Sequence, residues 1–585
     1  MCPRPNCCWA ARAEMAHSMN DWLETLQKPG ARGGLNRYAY LLLVLVALAA
    51  MLPGFFTIPA MDRDESRYMQ ASRQMMETGD FIDIRFQDEA RHKQPVGTYW
   101  AQVITTTPFG GAEAPVWAHR LTSLFGILAA IIMTGWLGSR LFSPQVGIAA
   151  GLVLAIALSL QVEARTAKTD ALLLGFGMLA QISLAILALK VTEKRPAFIG
   201  WPLALWAATA VCILIKGPIF TMVTGLTLVG FIALTRDFDL LRRIRPGFGL
   251  LVVIAIAAPW LVAVTIVTDG AFLAEAVGWS MLRKVSEAAE NHTGPLGFHL
   301  MLSPVTLWPA AALLALAVLA AWKNRSDRTI RFLVAWIVPT WIVFELITTK
   351  LPHYVVPTFP AIAILMGLAL KDVPGVLSGL KQRIFHWVVA AAVIVVSGVL
   401  IALPIAAHIE FNGEIGLDAW IAAIAGVIGL ITVAALAYTP SMRTLGVAGF
   451  GAIAVYGAMF GVVIPNIDAM WPSERVGRVV DRLEGCETLS IATLGYREPS
   501  NAFYLGTNAL LADNADAAAD VLVSDPACGL AIVDIAEREG FDAALAARGI
   551  TVRPLASVSG YNLVKGDALD LTLLVSEGSE VRLGE

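Results

Sequence analysis

Four short stretches of this chain gather ionisable residues at spacings that can do chemistry. In AMDRDESRYMQASRQMMETGDF, residues 60–81, Asp62, Asp64, Glu65, Arg67 and Arg73 crowd together. In QDEARHKQPVGTYWAQVI, the trio Arg91, His92 and Lys93 leads through Gln94 and Pro95 to Tyr99 and Trp100. QVEARTAKTDALLL places Glu163, Arg165, Lys168 and Asp170 within one turn, and TTKLPHYVVPTFP brackets Pro352 with Lys350, His353 and Tyr354. His292 stands in a fifth stretch, ENHTGP. Cations beside interfacial aromatics suit recognition of a phosphate at headgroup depth.

Each stretch also has a plainer reading. Residues 64–77 form a helix pattern with Tyr68, Ser72, Met75 and Met76 on one side and Arg67, Gln70 and Gln74 elsewhere. Asp64 and Glu65 then sit in its first turn, where acids suit the helix dipole, and the charges are a solvated cap on an interfacial helix. The second stretch is equally an aromatic belt with flanking bases. Asp170 opens a helix, so its carboxylate either caps that helix or serves chemistry. Glu345 is placed to pair with Lys350. His292 is a plain loop residue or a metal ligand.

The elements that must position these residues are membrane spans. The chain is 57% hydrophobic and 15% charged, with a mean hydropathy of +0.67; a soluble domain carries about 25% charged residues. Apolar runs near the length needed to cross a bilayer recur from 38–58 to 445–465, giving about 13 candidate helices. The first reads as a retained signal anchor, not a cleaved signal. With the N-terminus in the cytoplasm, alternate connections are basic: Arg32 and Arg37, Arg140, Lys190 with Lys194 and Arg195, Arg236 to Arg245, Lys323 to Arg331, Lys371 to Arg383, and Arg443. The outward connection 410–418 holds only acids. The four charged stretches all fall on outward connections, against the rule, which marks them as functional candidates.

This divides the chain into a cytoplasmic segment, 1–37, a membrane domain, 38–467, with an outward loop at 59–120, and an outward tail, 468–585. In the tail, helix and strand patterns alternate, as in a small α/β domain. Cys486 and Cys528 both lie there, where a disulfide persists if the two meet; spacing alone leaves that open. Cys2, Cys7 and Cys8 lack metal-site spacing and read as reduced thiols. A net charge of -3 points to no particular partner. No phosphate-binding glycine loop or H-E-x-x-H is present, and nothing suggests nucleic-acid binding, because the basic clusters are the topology signals.

Taken together, the stretches resemble a known family. DRDESRYMQASRQMMETGDF looks like the Asp-Glu-x-Arg-Tyr first-loop motif of bacterial polyprenyl-phosphate-dependent glycosyltransferases. These include aminoarabinose transferases acting on lipid A and are related to protein O-mannosyltransferases of GT-C architecture. HKQPVGTYW resembles the family's Lys-Pro-Pro-x-x-Tyr-Trp stretch, RTAKTDALLL its turn with a second Asp, and TKLPHYVVPTFPAIAIL its Lys-Leu-Pro-His-Tyr segment. The resemblance covers about the first 370 residues and extends more loosely beyond.

It implies a GT-C membrane enzyme that moves a sugar from a polyprenyl-phosphate donor to an envelope acceptor, lipid or protein, on the outer face of a bacterial inner membrane. A carboxylate would position or deprotonate the acceptor, and cations would stabilise the leaving phosphate. Asp64 would be the main acid, with Glu65 beside it and Asp170 as the second. Arg67, Lys93, Lys350, Arg165 and Lys168 would meet phosphate. Gln94, Tyr99, His353 and Tyr354 would shape the donor pocket, and His292 would correspond to a proposed metal ligand. Aminoarabinose enzymes read Glu-Lys-Pro where this chain reads Lys93-Gln94-Pro95, so the resemblance leaves both a divalent metal and the identity of the sugar open. The competing readings are a lipid-sugar flippase, which would place charges near the bilayer midplane, and an envelope-assembly scaffold.

Overall fold

The computed structural model describes residues 25–26, 28–30, 34–191, 199–276 and 294–584. His292, Lys194, Arg195, Arg32, Cys2, Cys7 and Cys8 lie outside them, as does most of 1–37.

Each of the apolar runs read from the sequence contains helix where described, with turns or bends at 52–58 and 307–309. Among the described residues, eight helices are long and apolar enough to cross a membrane, and two bent pairs bring the number to ten. Three more apolar helices, Arg37–Met51, Gly200–Lys216 and Ile219–Thr235, are shorter, at 10–17 residues. The expected 13 crossings are therefore not reached by length and composition. The bent pairs, Pro144–Ile156 with Leu158–Ala164 and Phe298–Thr306 with Ala310–Lys323, turn by 61° and 119°. Hydropathy registers each as one run because a bend changes direction without changing composition.

The buried centre of the bundle is made by Val116–Leu141, Thr169–Leu189 and Pro352–Ala369; Asp239–Val267 and Leu380–Phe411 are only 17% and 22% buried and form the periphery. Small residues let the central helices touch. A Cβ on Gly126 would lie 2.3 Å from the Ala171 carbonyl oxygen, and one on Gly175 would lie 2.9 Å from that of Gly126. Such backbone contact between spans is the usual use of glycine in lipid, where burial from water no longer drives association. It brings the start of Thr169–Leu189, with Asp170, against Val116–Leu141.

The loop helix forms as the pattern predicts, over Asp64–Thr78, with Asp64 and Glu65 in its first turn and Gly79 closing it in a left-handed conformation (φ 73°). Its apolar side, Tyr68, Ala71 and Met75, packs on the bundle with Tyr99, Leu214 and Trp260. Gln70 and Gln74, placed off that side, are buried as well. Gln70 faces the C-terminal domain, where its amide donates to Thr507 Oγ1 at 2.6 Å, and Gln74 exchanges two hydrogen bonds of 2.8 Å with the Gln87 backbone of the same loop.

The C-terminal domain is a five-stranded sheet in the order Leu510–Leu511, Ser490–Leu494, Gly529–Asp534, Asp567–Ser576, Val552–Asn562. The first three strands are parallel, with Ile491 opposite Leu530, and the last two are antiparallel. Helices Ala515–Ser524 and Arg538–Arg548 pack Leu522, Phe541 and Leu545 against one face. The expected strands and helices of the tail are all present. Strand Asp567–Ser576 and helix Pro499–Leu505, which short mixed patterns concealed, are additional. Cys486 and Cys528 form a disulfide, with Cα atoms 5.9 Å apart.

Candidate active site

The two neighbouring acids of the first stretch have opposite environments. Glu65 is 2% exposed. It takes Arg120 Nε at 2.8 Å and Arg120 Nη2 at 2.9 Å, one on each oxygen, together with the backbone N–H groups of Ala167 (2.8 Å) and Met61 (2.9 Å). Arg120 also donates to the carbonyls of Ile58 (2.7 Å) and Pro59 (2.8 Å). Glu65 thus has no free lone pair facing a substrate; it joins the loop helix, Val116–Leu141 and the turn at 165–168. Asp64, one residue earlier, is exposed. Its carboxylate acts electrostatically on Tyr68, Arg91, Tyr99 and Lys168.

The second acid belongs to a packed charge network. Both oxygens of Asp170 accept from Lys216 Nζ at 2.7 Å. The carboxylate therefore takes an ammonium from Gly200–Lys216 instead of capping its own helix. His353 lies between two acids, Nε2 3.8 Å from Asp170 and Nδ1 3.8 Å from Glu163. Lys168 Nζ reaches Glu163 Oε1 at 3.3 Å. Burial opposes the Lys168 ammonium, but Glu163, Asp170 and Asp64 outweigh it and raise its pKa. The other Glu163 oxygen, Oε2, is buried without a hydrogen bond.

The wall beside Asp64 is aromatic and cationic. Arg91 Nε donates to Tyr99 Oη at 3.0 Å, and its guanidinium lies 5.0 Å from the Tyr68 ring centre. Tyr68 and Tyr99 pack 5.2 Å apart. Burial first, then each other and Asp64, push the Tyr68 phenol well up, so it remains a proton donor. Gly97 allows this wall to close on the bundle, since a Cβ there would meet the Leu214 carbonyl oxygen at 2.7 Å. Lys93 is exposed and Gln94 half-buried. His92 is turned away to Asp83, with Nε2 3.0 Å from Oδ1.

Lys350 is 7% exposed and donates to the Gly294 carbonyl at 2.9 Å. Glu345, expected to pair with it, accepts instead from the backbone N–H groups of His299 (2.9 Å) and Gly297 (3.1 Å). Tyr354 stacks near His353 and Phe344, at 5.3 and 5.7 Å.

Two residues expected to meet phosphate make other interactions. Arg165 donates to the carbonyls of Pro53 (2.7 Å), Gln161 (2.7 Å) and Ala50 (2.5 Å) and stacks 4.2 Å from the Phe460 ring centre. It clamps the end of the first span, a task that backbone carbonyls, invisible in a residue pattern, assigned to it. Arg67 is half-buried, and its charge acts on Glu498 of the C-terminal domain. Residues that the sequence reading passed over as site members are Arg91, Arg120, Glu163 and Lys216. Their one legible signal was charge on an outward connection. Among the described residues no group of three or more His, Cys, Asp or Glu is arranged to hold a metal ion.

The arrangement offers an exposed carboxylate whose charge acts on Arg91 and Lys168, near a set of two acids, two lysines and a histidine of which Glu163 is buried and the others are half-buried. Such a carboxylate can accept a proton from an approaching hydroxyl, and the neighbouring cations can stabilise negative charge on a leaving group.

Fold and site together define a polytopic membrane protein of GT-C architecture. Residues 39–268 match the dolichyl-phosphate-mannose-protein mannosyltransferase family. The chain is similar to the undecaprenyl phosphate-alpha-4-amino-4-deoxy-L-arabinose arabinosyl transferase of Pseudomonas aeruginosa (strain LESB58), 27% identical over 319 residues, 52% of this chain and 55% of that protein. The matched part thus spans little more than half of that relative. The enzyme of the same name from Aeromonas hydrophila is 26% identical over 411 residues, covering 69% of this chain and 66% of its own. In structure, the chain is similar to ArnT from Cupriavidus metallidurans bound to undecaprenyl phosphate, with a TM-score of 0.71 at 22% identity, over 91% of this chain and 97% of that one.

Proposed function

We propose that this protein is an integral membrane glycosyltransferase that moves a sugar from a polyprenyl phosphate, of the undecaprenyl type, to an envelope acceptor such as lipid A, another glycolipid or protein. The observation that carries this reading is the contrast among three acids at one end of the bundle. Glu65 is held by Arg120 and Asp170 by Lys216, while Asp64 stands exposed between cations. Asp64 takes the acceptor's proton or positions its oxygen as that oxygen attacks the anomeric carbon. Lys168, Lys93 and Lys350 meet the phosphate as the glycosidic bond breaks. Asp170, with Lys216 and His353, supports the sugar side of the donor. Glu65 acts by placing Asp64, not by touching substrate.

The membrane reading puts this end of the bundle outside the cytoplasm, in the periplasm of a bacterial inner membrane, with the N-terminus inside. The cysteine pair of the C-terminal domain supports that orientation, because such bonds persist in oxidising compartments. The test is mass spectrometry of lipid A and membrane glycolipids from cells with and without the gene, and from cells carrying Asp64→Asn at normal protein level. The reading expects one sugar mass to vanish from an envelope molecule in both the deletion and the variant. Unchanged glycolipids in the Asp64→Asn cells defeat it.

A further inference from the structure

The exposed acid is reached by a short strained approach, and the C-terminal domain holds that approach in place. Arg63, immediately before Asp64, sits at φ 61° and ψ -108°, a conformation that a residue with a Cβ rarely adopts. A strained residue persists only when its neighbours over-determine it. On the far side Glu65 is tied to Arg120. On the near side the grip comes from more than 400 residues away in sequence. Tyr496 Oη donates to Asp62 Oδ2 at 3.1 Å, and the Ser500 hydroxyl donates to Asp62 Oδ1. The Ala60 N–H donates to Tyr504 Oη at 2.7 Å. These hydroxyls are themselves set. Ser473 Oγ donates to Tyr496 Oη at 3.2 Å and is 2.5 Å from Ser500 Oγ, and Ser473 and Ser500 are 3% and 1% exposed. Thr507 and Phe503 fix the rest of the helix through Gln70, Glu77 and Arg73.

We infer that Asp62 is a positioning residue for the reaction: held by Tyr496 and Ser500, it sets the place of Asp64, so that the C-terminal domain is a working part of the site. A tether that served only to attach the domain would not need to close on Ala60 and on Asp62, the residue immediately before the strained one. The contacts made by Gln70, Gln87 and Arg73 attach it already. The geometry also explains why a half-buried acid stands there. Asp62 accepts from two hydroxyls that face it from another domain, and burial raises its pKa while those hydroxyls oppose the rise. The inference rests on the reading of Asp64 as the reacting acid.

The test uses the full-length protein in membranes of a deletion strain, with variants matched for protein level. The rate at which the glycolipid lost on deletion reappears is measured for wild type, Asp64→Asn, Asp62→Ala, Asp62→Asn and Tyr496→Phe/Ser500→Ala. Binding of undecaprenyl phosphate, the donor probe, is measured alongside, with hydrogen exchange over 58–72. Because small misplacements of a reacting group are costly, the double variant and Asp62→Ala should slow transfer on the order of tenfold to a hundredfold. Probe affinity should stay within about twofold, the interactions lost being ones that do not touch donor. Exchange should quicken over 58–72 alone. Asp62→Asn should recover most of the rate, since its amide oxygen still accepts one hydroxyl. Wild-type rate and exchange in the double variant overturn the inference, and so does a loss that tracks a fall in melting temperature without a rate defect per folded molecule. If Asp64→Asn also transfers normally, the reading of Asp64 is what fails; if Asp64→Asn is inactive and the double variant is normal, the inference fails alone.

Discussion

Glu65 and Arg120 meet as a two-pronged pair, Nε to Oε1 at 2.8 Å and Nη2 to Oε2 at 2.9 Å, with both side chains out of contact with solvent. Arg120 continues to the carbonyls of Ile58 and Pro59, so the pair fixes where the chain leaves the first span and where the loop helix begins. Removing one member of a buried pair strands the other and costs about 3–5 kcal/mol. Glu65→Leu and Arg120→Leu should each lower the melting temperature of the detergent-solubilised protein and reduce its yield. Replacing both by Leu should be milder than the sum of the two. Additive losses in that double-mutant cycle would show that the two residues act independently.

Asp170 and Lys216 form the second pair, with the ammonium 2.7 Å from both carboxylate oxygens. Lys216→Met should leave Asp170 unpaired beside Glu163 and His353, lowering both stability and glycolipid formation. Adding Asp170→Asn should restore part of the stability, because the uncompensated charge is gone, but none of the activity. Thermal unfolding and product mass spectrometry on the same preparations separate the two effects.

Arg165 and Lys350, both expected to meet phosphate, should behave differently. Arg165→Ala leaves the carbonyls of Ala50, Pro53 and Gln161 without their donor, at about 1–3 kcal/mol for each that stays buried. The protein that survives should bind undecaprenyl phosphate with wild-type affinity. Lys350→Met should weaken binding of that probe roughly tenfold, as loss of one charged contact does. Equal weakening by both variants would return Arg165 to the donor site.

Asp62 makes a prediction in pH. Burial raises its pKa in the folded state above the ordinary 3.8, with the Ser500 and Tyr496 hydroxyls and Arg63 opposing. The folded protein therefore binds this proton more tightly than the unfolded chain does. The associated stability is fully present below about 3.8 and is lost as pH rises through the raised value. Asp62→Asn, which cannot ionise, should match wild type at the acid end of that window and gain on it as pH increases. Unfolding temperatures from pH 3.5 to 7 check the sign; a variant that loses ground with rising pH contradicts it.

Much of the architecture was legible because it depends on composition and periodicity. Apolar runs marked the helices, and turn residues with alternating patterns marked the strands of the tail. The first-loop helix was visible from its 3.6-residue period and ended where Gly79 allows. The bends inside 144–164 and 298–323 were not, because an apolar run reads the same whether straight or folded back. Charge alternation arranged the connections, and the exceptions to it led to Asp64, Asp170, Lys168, Lys350 and His353.

Residue type and position could not divide those exceptions into reacting and supporting groups. Asp64 and Glu65 are adjacent acids in one helical turn, and what distinguishes them is Arg120, 55 residues on from Glu65, with the backbone N–H groups of Ala167 and Met61. Arg165 looks like a phosphate ligand until three backbone carbonyls surround it. The sequence by itself determined that this is a membrane-spanning helical protein with a small α/β tail, and it identified which charged segments merit attention, because hydropathy and periodicity are local properties. Tertiary structure decided which acid stays exposed, which cations are spent on the scaffold, and that the tail closes on the loop helix. Those outcomes depend on hydrogen bonds and burial between residues far apart in the chain, where one partner says nothing about the other until the fold brings them together.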